Sequence, residues 1–295
     1  MASRQVRYMI KVRRGSEDDL PTVLELLNNV WEDDYVPHLW FTWVQSPTEG
    51  MVLVAECEEH IVGTTYVKYL PHGACWFQAM RVHPDFRRLG VGSALTHAAL
   101  RESRDTGRSY AYLGIDAENV ASLNMVSQLG FRQITEYALL SLALPPLASP
   151  APAREENSRW RKAAADDVVR MLETARGAGR AEFIACWQWQ PLSAEALAEN
   201  IAEGNLWLCD DPAAYAFAGF EDSDTHPHLF DPCGQPEYVK RLIAYLTAAL
   251  RRDAEVTFEV WLRHDSPLVD YLLHECGFSA EEGYTIWEHP LQTRQ

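Results

Sequence analysis

Residues 80–95 read Met-Arg-Val-His-Pro-Asp-Phe-Arg-Arg-Leu-Gly-Val-Gly-Ser-Ala-Leu. The pattern predicts a strand that ends near Val82, a loop that contains two glycines, and an amphipathic helix directly after Gly92. Glycine permits positive φ angles and close approach of the backbone to a ligand, and the free N–H groups of a first helical turn attract anions. Arg87 and Arg88 add positive charge at the same place. We therefore predict that this loop binds a diphosphate; a tight turn without a ligand is the alternative.

Helical and extended patterns alternate on both sides of this loop. Runs of β-branched and aromatic residues predict strands at residues 8–13, 51–56, 61–69, 75–82 and 110–116. Apolar residues at helical spacing predict helices at residues 20–27, 31–44, 93–104 and 121–129. The short polar segment between residues 56 and 61 predicts a hairpin. Gly130 is predicted to be the C-cap of the helix before it. The first half of the chain is therefore predicted to be a mixed α/β domain.

The second half appears as a weaker copy of the first. Residues 144–153 contain four prolines, which predicts a linker because proline fits neither a helix interior nor a central strand. Beyond it, residues 164–169 resemble residues 16–20 at an interval of about 148, and Cys276-Gly277-Phe278 repeats Leu129-Gly130-Phe131 at 147. Two matches at nearly one interval predict a duplicated domain. We predict domains at residues 8–144 and 158–292, joined by a proline-rich linker at 145–157.

Composition excludes several classes of protein. The 295 residues include 26 Lys and Arg against 42 Asp and Glu, a net charge of −16, which disfavours binding to nucleic acids and to anionic membranes. No apolar run is long enough for a transmembrane helix, and the first residues lack the apolar stretch of a signal peptide. The six cysteines form no Cys-x-x-Cys pair, as is typical of a reducing compartment. We expect a cytoplasmic protein; its oligomeric state is left open.

Two motifs carry a resemblance to a known family. Arg87, Gly90 and Gly92 match the pattern Gln/Arg-x-x-Gly-x-Gly/Ala, and Asn119 and Ser122 match the downstream pattern Asn-x-x-Ala/Ser. Over residues 8–141 the chain therefore resembles the GCN5-related N-acetyltransferase (GNAT) family. Its arrangement, with an intact first and a degenerate second domain, is similar, more weakly, to the tandem N-acetyltransferase-16-like and histidine-acetyltransferase-like proteins.

The resemblance implies a fold, a co-substrate and a set of binding residues. The fold is α/β, with tandem GNAT-like domains that each contain a mixed, largely antiparallel sheet flanked by helices, and the first domain is catalytic. Acetyl-CoA is the implied co-substrate. The implied cofactor-binding residues are Met80, Val82, Arg87, Arg88, Leu89, Gly90, Val91, Gly92 and Asn119. The loop amides would hold the pyrophosphate, Met80 and Val82 would pair with the pantetheine arm, and the Val82 N–H would polarise the thioester carbonyl. Asn119 would bind the pantetheine, with a helix N-cap as the alternative role.

The groups that usually transfer protons in this family are missing. The alternating face Trp76, Gln78, Met80 and Val82 of the fourth strand carries no carboxylate, and Val126 stands where the usual tyrosine acid would be. The candidate catalytic residues are instead Asp116, at the end of the fifth strand, and Tyr35, in the segment that covers the acceptor site in relatives. A turn residue and ordinary helix packing are the respective alternatives. His38 and Tyr112 are further substitutes, with packing again as the alternative.

The predicted activity is transfer of an acetyl group from acetyl-CoA to a primary amine of a small molecule or amino acid, by direct attack in a ternary complex. The alternative is a non-catalytic acetyl-CoA-binding regulatory or scaffold protein, since the loop is intact while the usual acid and base are absent. The second domain is predicted to lack a cofactor site, because residues 231–237 contain two prolines and two acids. Asp224, His226, His228, Asp231 and Cys233 crowd one predicted loop, which we interpret as a loop rather than a metal site.

Overall fold

The structure is a computed structural model that describes residues 9–30, 34–146, 160–211, 214–250 and 254–291. Contacts divide these residues into two units: the first comprises the described parts of residues 1–114, 120–132 and 287–295, and the second those of 115–119 and 133–286. The predicted linker lies mostly outside the described residues, and the predicted domain boundaries stay a prediction. None of the helices in the described ranges is both long and apolar enough to cross a membrane.

The first unit is built on antiparallel strands that end in one parallel pair. Its strands, in sheet order, are β1 (Lys11–Arg14), β2 (Gly50–Cys57), β3 (His60–Tyr69), β4 (Ala74–Val82) and β5 (Tyr110–Asp116), of which residues 110–114 belong to this unit. Its helices are α1 (Leu20–Leu27), α2 (Val36–Gln45), α3 (Val91–Asp105) and α4 (Val120–Gln128). β4 and β5 are parallel, and the other pairs are antiparallel. The predicted hairpin is confirmed, with Cys57 facing His60.

Helices cover the strands of the first unit because each helix is apolar on one side. α1 and α2 place Val23, Leu26 and Trp40 in a core cluster with β2 and β3, and Trp43 stacks on Tyr66 with ring centroids 4.3 Å apart. Gly63 of β3 lets α3 approach closely: a Cβ built there would lie 2.8 Å from a methyl of Val91. α3 therefore packs directly on the sheet, with its N-terminal end at the end of β4.

A later segment of the chain completes this unit. Residues 287–290 form the end of the strand Tyr284–Pro290, which lies next to β5 in the sheet order. The guanidinium of Arg132 binds Glu288 at 2.6 Å, Phe131 contacts the ring of His289, and Leu291 N donates to Ser109 O at 2.8 Å. The first unit is consequently not continuous along the sequence.

The second unit repeats this plan. Its sheet order is β6 (Arg132–Leu144, from residue 133), β13 (Val256–Arg263), β12 (His228–Gly234), β11 (Ala214–Glu221), β10 (Leu206–Asp211) and β7 (Trp160–Lys162). β8 (Glu182–Ala185) and β9 (Gln188–Pro191) form a hairpin, β14 (Ser279–Ala280) pairs with β6, and residues 284–286 of β15 (Tyr284–Pro290) also belong here. The helices are α5 (Val168–Gly177), α6 (Ala194–Ala202), α7 (Pro236–Ala249) and α8 (Leu268–Glu275). β12 and β13 are the parallel pair.

One sequence prediction for this unit is wrong. His228, Asp231 and Cys233 were expected in a polar loop, but they lie on strand β12, where all three are buried. The apolar neighbours Leu229 and Phe230 are part of the core and draw the segment into the sheet. In the described part of the chain, no group of three His, Cys, Asp or Glu residues is arranged to hold a metal ion.

Candidate active site

The predicted loop brings exposed backbone donors to the start of α3. Gly90 precedes the helix with a φ of 89°, a conformation that glycine adopts without strain, and a Cβ built there would meet nothing within 4 Å. The first helical bond of the described pattern runs from Ala94 N to Gly90 O. The N–H groups of the three preceding residues, 91–93, therefore have no acceptor within the helix. An anion can approach these donors through the open space beside Gly90.

Gly92 has a different role from Gly90. A Cβ at Gly92 would lie 3.1 Å from the sulfur of Met125 and 3.6 Å from that of Met80. The glycine thus lets α3 pack against both methionines, one on α4 and one on β4. Arg87 and Arg88 are exposed beside this helix terminus. Backbone N–H groups, the helix dipole and two guanidinium groups form a donor set that fits a diphosphate.

Strands β4 and β5 part beside the loop. Their parallel pairing runs from Ala74 and Tyr110 to Phe77 and Leu113, and in the described structure it does not continue to Gln78. At the far end of β4, His83 N donates to Val62 O on β3 at 2.9 Å. Because N–H directions alternate along a strand, the Val82 N–H points away from β3, to the side on which β5 has left. An extended ligand could pair with this open edge of β4.

A β-bulge interrupts β4 and changes which side chains share a face. Tyr66 of β3 faces Gln78, but Thr64 faces Arg81, so two residues of β4 oppose Thr65. Ala79 at this bulge has a φ of 56°. The prediction of one alternating face through Trp76, Gln78, Met80 and Val82 is therefore wrong, because the extra residue reverses the alternation beyond Gln78.

The bulge sends Met80 and Arg81 in different directions. Met80 lies toward α3, with its sulfur near Gly92. Arg81 lies toward α2: its Nε donates to Oδ2 of Asp34 at 2.6 Å, and its Nη2 lies 3.3 Å from Oδ1. Sequence reasoning assigned no role to this pair. The available signal was a single charged residue inside a mostly apolar strand, since such a residue needs a buried partner.

Tyr35 lies directly before α2 and beside this ion pair. Its ring is 5.5 Å from the guanidinium carbon of Arg81 and makes an edge contact with Trp43, yet 43% of the residue is exposed. Desolvation raises the pKa of Tyr35, and the positive charge of Arg81 opposes this effect. The hydroxyl therefore keeps its proton at neutral pH. A packed base with an exposed side is compatible with proton donation.

The remaining positions considered for proton transfer are His38, Tyr112 and Val126. His38 is exposed on α2, whereas Tyr112 is buried and desolvation raises its pKa. Val126, in place of the usual tyrosine, is buried in the core. Neither Tyr112 nor Val126 presents a polar group that readily exchanges protons with solvent.

Asp116 and Asn119 lie in the segment 115–119 of the second unit. Asp116 ends β5, and its Oδ1 accepts a hydrogen bond from Glu118 N at 3.1 Å. Asn119 N donates to the carbonyl of Asp116 at 3.0 Å. Asp116 therefore shapes the turn before α4, and its catalytic role stays a prediction. Asp116 and Glu118 also raise the pKa of the nearby carboxyl of Glu282.

The second unit has the same bulge without the loop. Gly219 faces Phe230 while Phe217 faces Cys233, and Asp231 at the bulge has a φ of 42°. The carboxylate of Asp231 is buried and binds Arg180. β12 ends at Gly234 and α7 begins at Pro236, so a single residue separates them. In the first unit, residues 83–90 fill the corresponding interval.

Comparison with known proteins identifies the fold and relates the first part of the chain to a known family. Residues 17–131 match the profile of the acetyltransferase (GNAT) family. The L-amino acid N-acyltransferase MnaT of Escherichia coli (strain K12) is 27% identical in an alignment of 140 positions that covers 41% of this chain and 79% of that protein. The match therefore leaves more than half of this chain uncovered.

Solved structures extend the likeness of fold to nearly the whole chain. The GCN5-related N-acetyltransferase from Sphaerobacter thermophilus is 15% identical, with a TM-score of 0.62 and coverage of 96% of each chain. A tandem GNAT protein from the clavulanic acid biosynthesis pathway is 12% identical, with a TM-score of 0.58 and coverage of 97% of this chain and 100% of that one. The predicted fold class is confirmed. Residues 17–131 are similar to the acetyltransferase (GNAT) family, which supports an acetyl-transferring enzyme, and nearly the whole chain has the fold of tandem GNAT proteins.

Proposed function

We propose that this enzyme transfers the acetyl group of acetyl-CoA to the primary amine of a small molecule or amino acid, by direct attack in a ternary complex. The observation that carries the proposal is the loop before α3, where a left-handed Gly90 opens the helix N-terminus beside the parted edge of β4. The family normally uses acetyl-CoA, and its diphosphate matches the donors of this loop.

The binding roles follow from the geometry of the loop and the strand. The N–H groups of residues 88–92, together with Arg87 and Arg88, would hold the diphosphate. The open edge of β4 at Met80 and Val82 would pair with the pantetheine arm. The Val82 N–H points to the same side and would stabilise the charge that develops on the thioester oxygen. Asn119 stays a proposed contact of the pantetheine.

The reaction requires two proton movements. Acetyl-CoA supplies an activated acetyl thioester. The acceptor must lose a proton before its nitrogen forms the new C–N bond, and the sulfur must gain one as the C–S bond breaks. We assign the second role to Tyr35, whose hydroxyl keeps its proton at neutral pH, and the first to Asp116. An α-amino group, whose ordinary pKa is near 8, needs less help than an alkylamine with a pKa above 10.

Two observations support a small, cationic acceptor. The net charge of −16 attracts amines and repels nucleic acids. The second observation is the similarity, at 27% identity, to an L-amino acid N-acyltransferase. The acceptor class is therefore proposed to be free amino acids or related small amines.

The test is release of CoA from acetyl-CoA with a panel of amino acids and small amines. The proposal expects turnover with at least one member and formation of its N-acetyl product, identified by mass spectrometry. The alternative, a non-catalytic regulatory or scaffold protein, predicts binding of acetyl-CoA without turnover. It is favoured only by the absence of the usual acid and base at Gln78 and Val126.

A further inference from the structure

The ion pair between Asp34 and Arg81 is deeply buried. The side chains are 2% and 9% exposed, whereas those of Asp19 and Arg13, which form a comparable pair in the same unit, are 11% and 34% exposed. Burying two charges costs solvation free energy, and an apolar pair of similar volume would often be as stable. The pair therefore calls for a role beyond general stability.

Each partner also binds the backbone of its own segment. Nη1 of Arg81 donates to the carbonyl of Met80 at 3.2 Å, next to the bulge in β4. Oδ1 of Asp34 accepts from Val36 N at 3.0 Å at the start of α2. The pair thus ties the bulge of β4 to the first turn of α2, although the residues are 47 positions apart.

Tyr35 is held between these two anchors. It directly follows Asp34 in the chain, and its ring lies 5.5 Å from the guanidinium carbon of Arg81. The planar guanidinium fixes the ring from one side and Trp43 contacts it edge-on. The orientation of this exposed tyrosine is consequently set by the ion pair.

From this geometry we infer that Asp34 and Arg81 are positioning residues for acetyl transfer, which hold Tyr35 in its working arrangement. The inference rests on the proposed function, in which Tyr35 delivers a proton to the leaving sulfur. Removing the charge of Asp34 frees the tyrosine and the start of α2. Turnover then falls while the loop before α3, and with it the affinity for acetyl-CoA, is unchanged.

The test is a double-mutant cycle between Asp34→Asn and Tyr35→Phe on the full chain. We expect Asp34→Asn to lower kcat about tenfold in the wild-type background and less than about threefold in the Tyr35→Phe background. Acetyl-CoA affinity, measured by calorimetry, should stay within about twofold in all variants. Arg81→Lys, which keeps the charge but loses the planar fork, should give the same pattern if Asp34→Asn folds poorly.

Asp19→Asn is the matched control, because it removes a paired carboxylate of the first unit that binds Arg13 and Ser16 rather than Arg81. It should lower the unfolding temperature without lowering kcat at 25 °C. The inference is overturned if Asp34→Asn lowers kcat by the same factor in both backgrounds, or if Tyr35→Phe is fully active. Absence of wild-type turnover with every amine would instead overturn the proposed function, and the inference with it.

Discussion

Arg161 donates two hydrogen bonds to the carboxylate of Asp167, at 2.7 and 2.8 Å, and so repeats the pair that Arg13 forms with Asp19. The interval is 148 residues in both partners. Each aspartate also accepts a backbone N–H three residues earlier, from Ala164 and Ser16 respectively, at 2.7 Å. The same arrangement of hydrogen bonds therefore precedes the first helical region of each unit, which confirms the predicted internal repeat.

Asp167→Asn should destabilise the protein by about 1 kcal/mol at pH 7, because it removes the charge of a carboxylate that accepts three hydrogen bonds in a partly exposed pair. The hydrogen bond from Arg161 lowers the pKa of Asp167 below its ordinary 3.8. Its contribution is thus complete above about pH 5 and is lost as the pH falls through the lowered pKa. Urea unfolding at pH 7 and at pH 3 measures the change. The exposed Asp166→Asn is the control; a deficit of Asp167→Asn that stays constant with pH would contradict the assignment.

Gly90→Ala should weaken acetyl-CoA binding at least tenfold, since its Cβ enters the open space beside the loop and relaxation of φ would turn the first helical N–H groups away. Gly107→Ala is a matched control at the other end of α3, with a φ of 79° and no atom within 4 Å of the built Cβ. Both variants should lose about 1–2 kcal/mol of stability from backbone strain. Equal affinities of the two variants in calorimetry would remove the loop from the binding site.

Gly92→Asp should also weaken acetyl-CoA binding more than tenfold, because a carboxylate beside the helix terminus repels the diphosphate. Gly92→Ala separates charge from size. Its Cβ meets only the flexible ends of Met125 and Met80, so affinity should stay within about threefold. The defect of the aspartate variant should shrink as the salt concentration rises. A defect of similar size in both variants would indicate crowding rather than repulsion.

Tyr35→Phe and Asp116→Asn should each lower kcat more than Gln78→Ala or Val126→Ala. The order is the prediction, measured as initial rates of CoA release. Because desolvation raises the pKa of Tyr35 above its ordinary value of 10, its donor form is lost only as the pH rises beyond that value. Between pH 7 and 9.5, the kcat of the wild-type enzyme should therefore show no decrease that is absent from Tyr35→Phe. Such a fall would place the pKa too low for the proposed donor.

The full chain should bind one molecule of acetyl-CoA. In the second unit, one residue separates β12 from α7, Pro236 at the helix start has no N–H, and Glu237 adds negative charge. Calorimetry should give a stoichiometry of one, and Gly92→Asp should weaken the single transition more than tenfold. Binding in that variant at the wild-type affinity would show that the second unit has retained a site.

The elements were predicted best where one local pattern determines them. β5 was predicted at residues 110–116 and is observed there, and the hairpin and Gly130 also follow from local pattern and turn chemistry. The bulge at Ala79 was not predictable, because an alanine with positive φ is imposed by the pairing of β4 with β3 rather than by its own preference. The Asp34–Arg81 pair depends on the same long-range arrangement. The prediction of a loop at residues 228–234 was wrong because His228, Asp231 and Cys233 are not typical of a buried strand.

The first unit is completed only after the second unit has been synthesised, because residues 287–291 belong to the first unit. A ribosome adds roughly 5–20 residues per second, so roughly 10–30 s pass between synthesis of Arg132 and of its partner Glu288. During that time the edge of β5 lacks its neighbouring strand, while residues 133–286 of the second unit are synthesised. A fragment that stops at residue 148 meets the same deficit permanently. The first unit therefore gains its last strand only after residues 287–291 have been synthesised, whichever unit folds earlier.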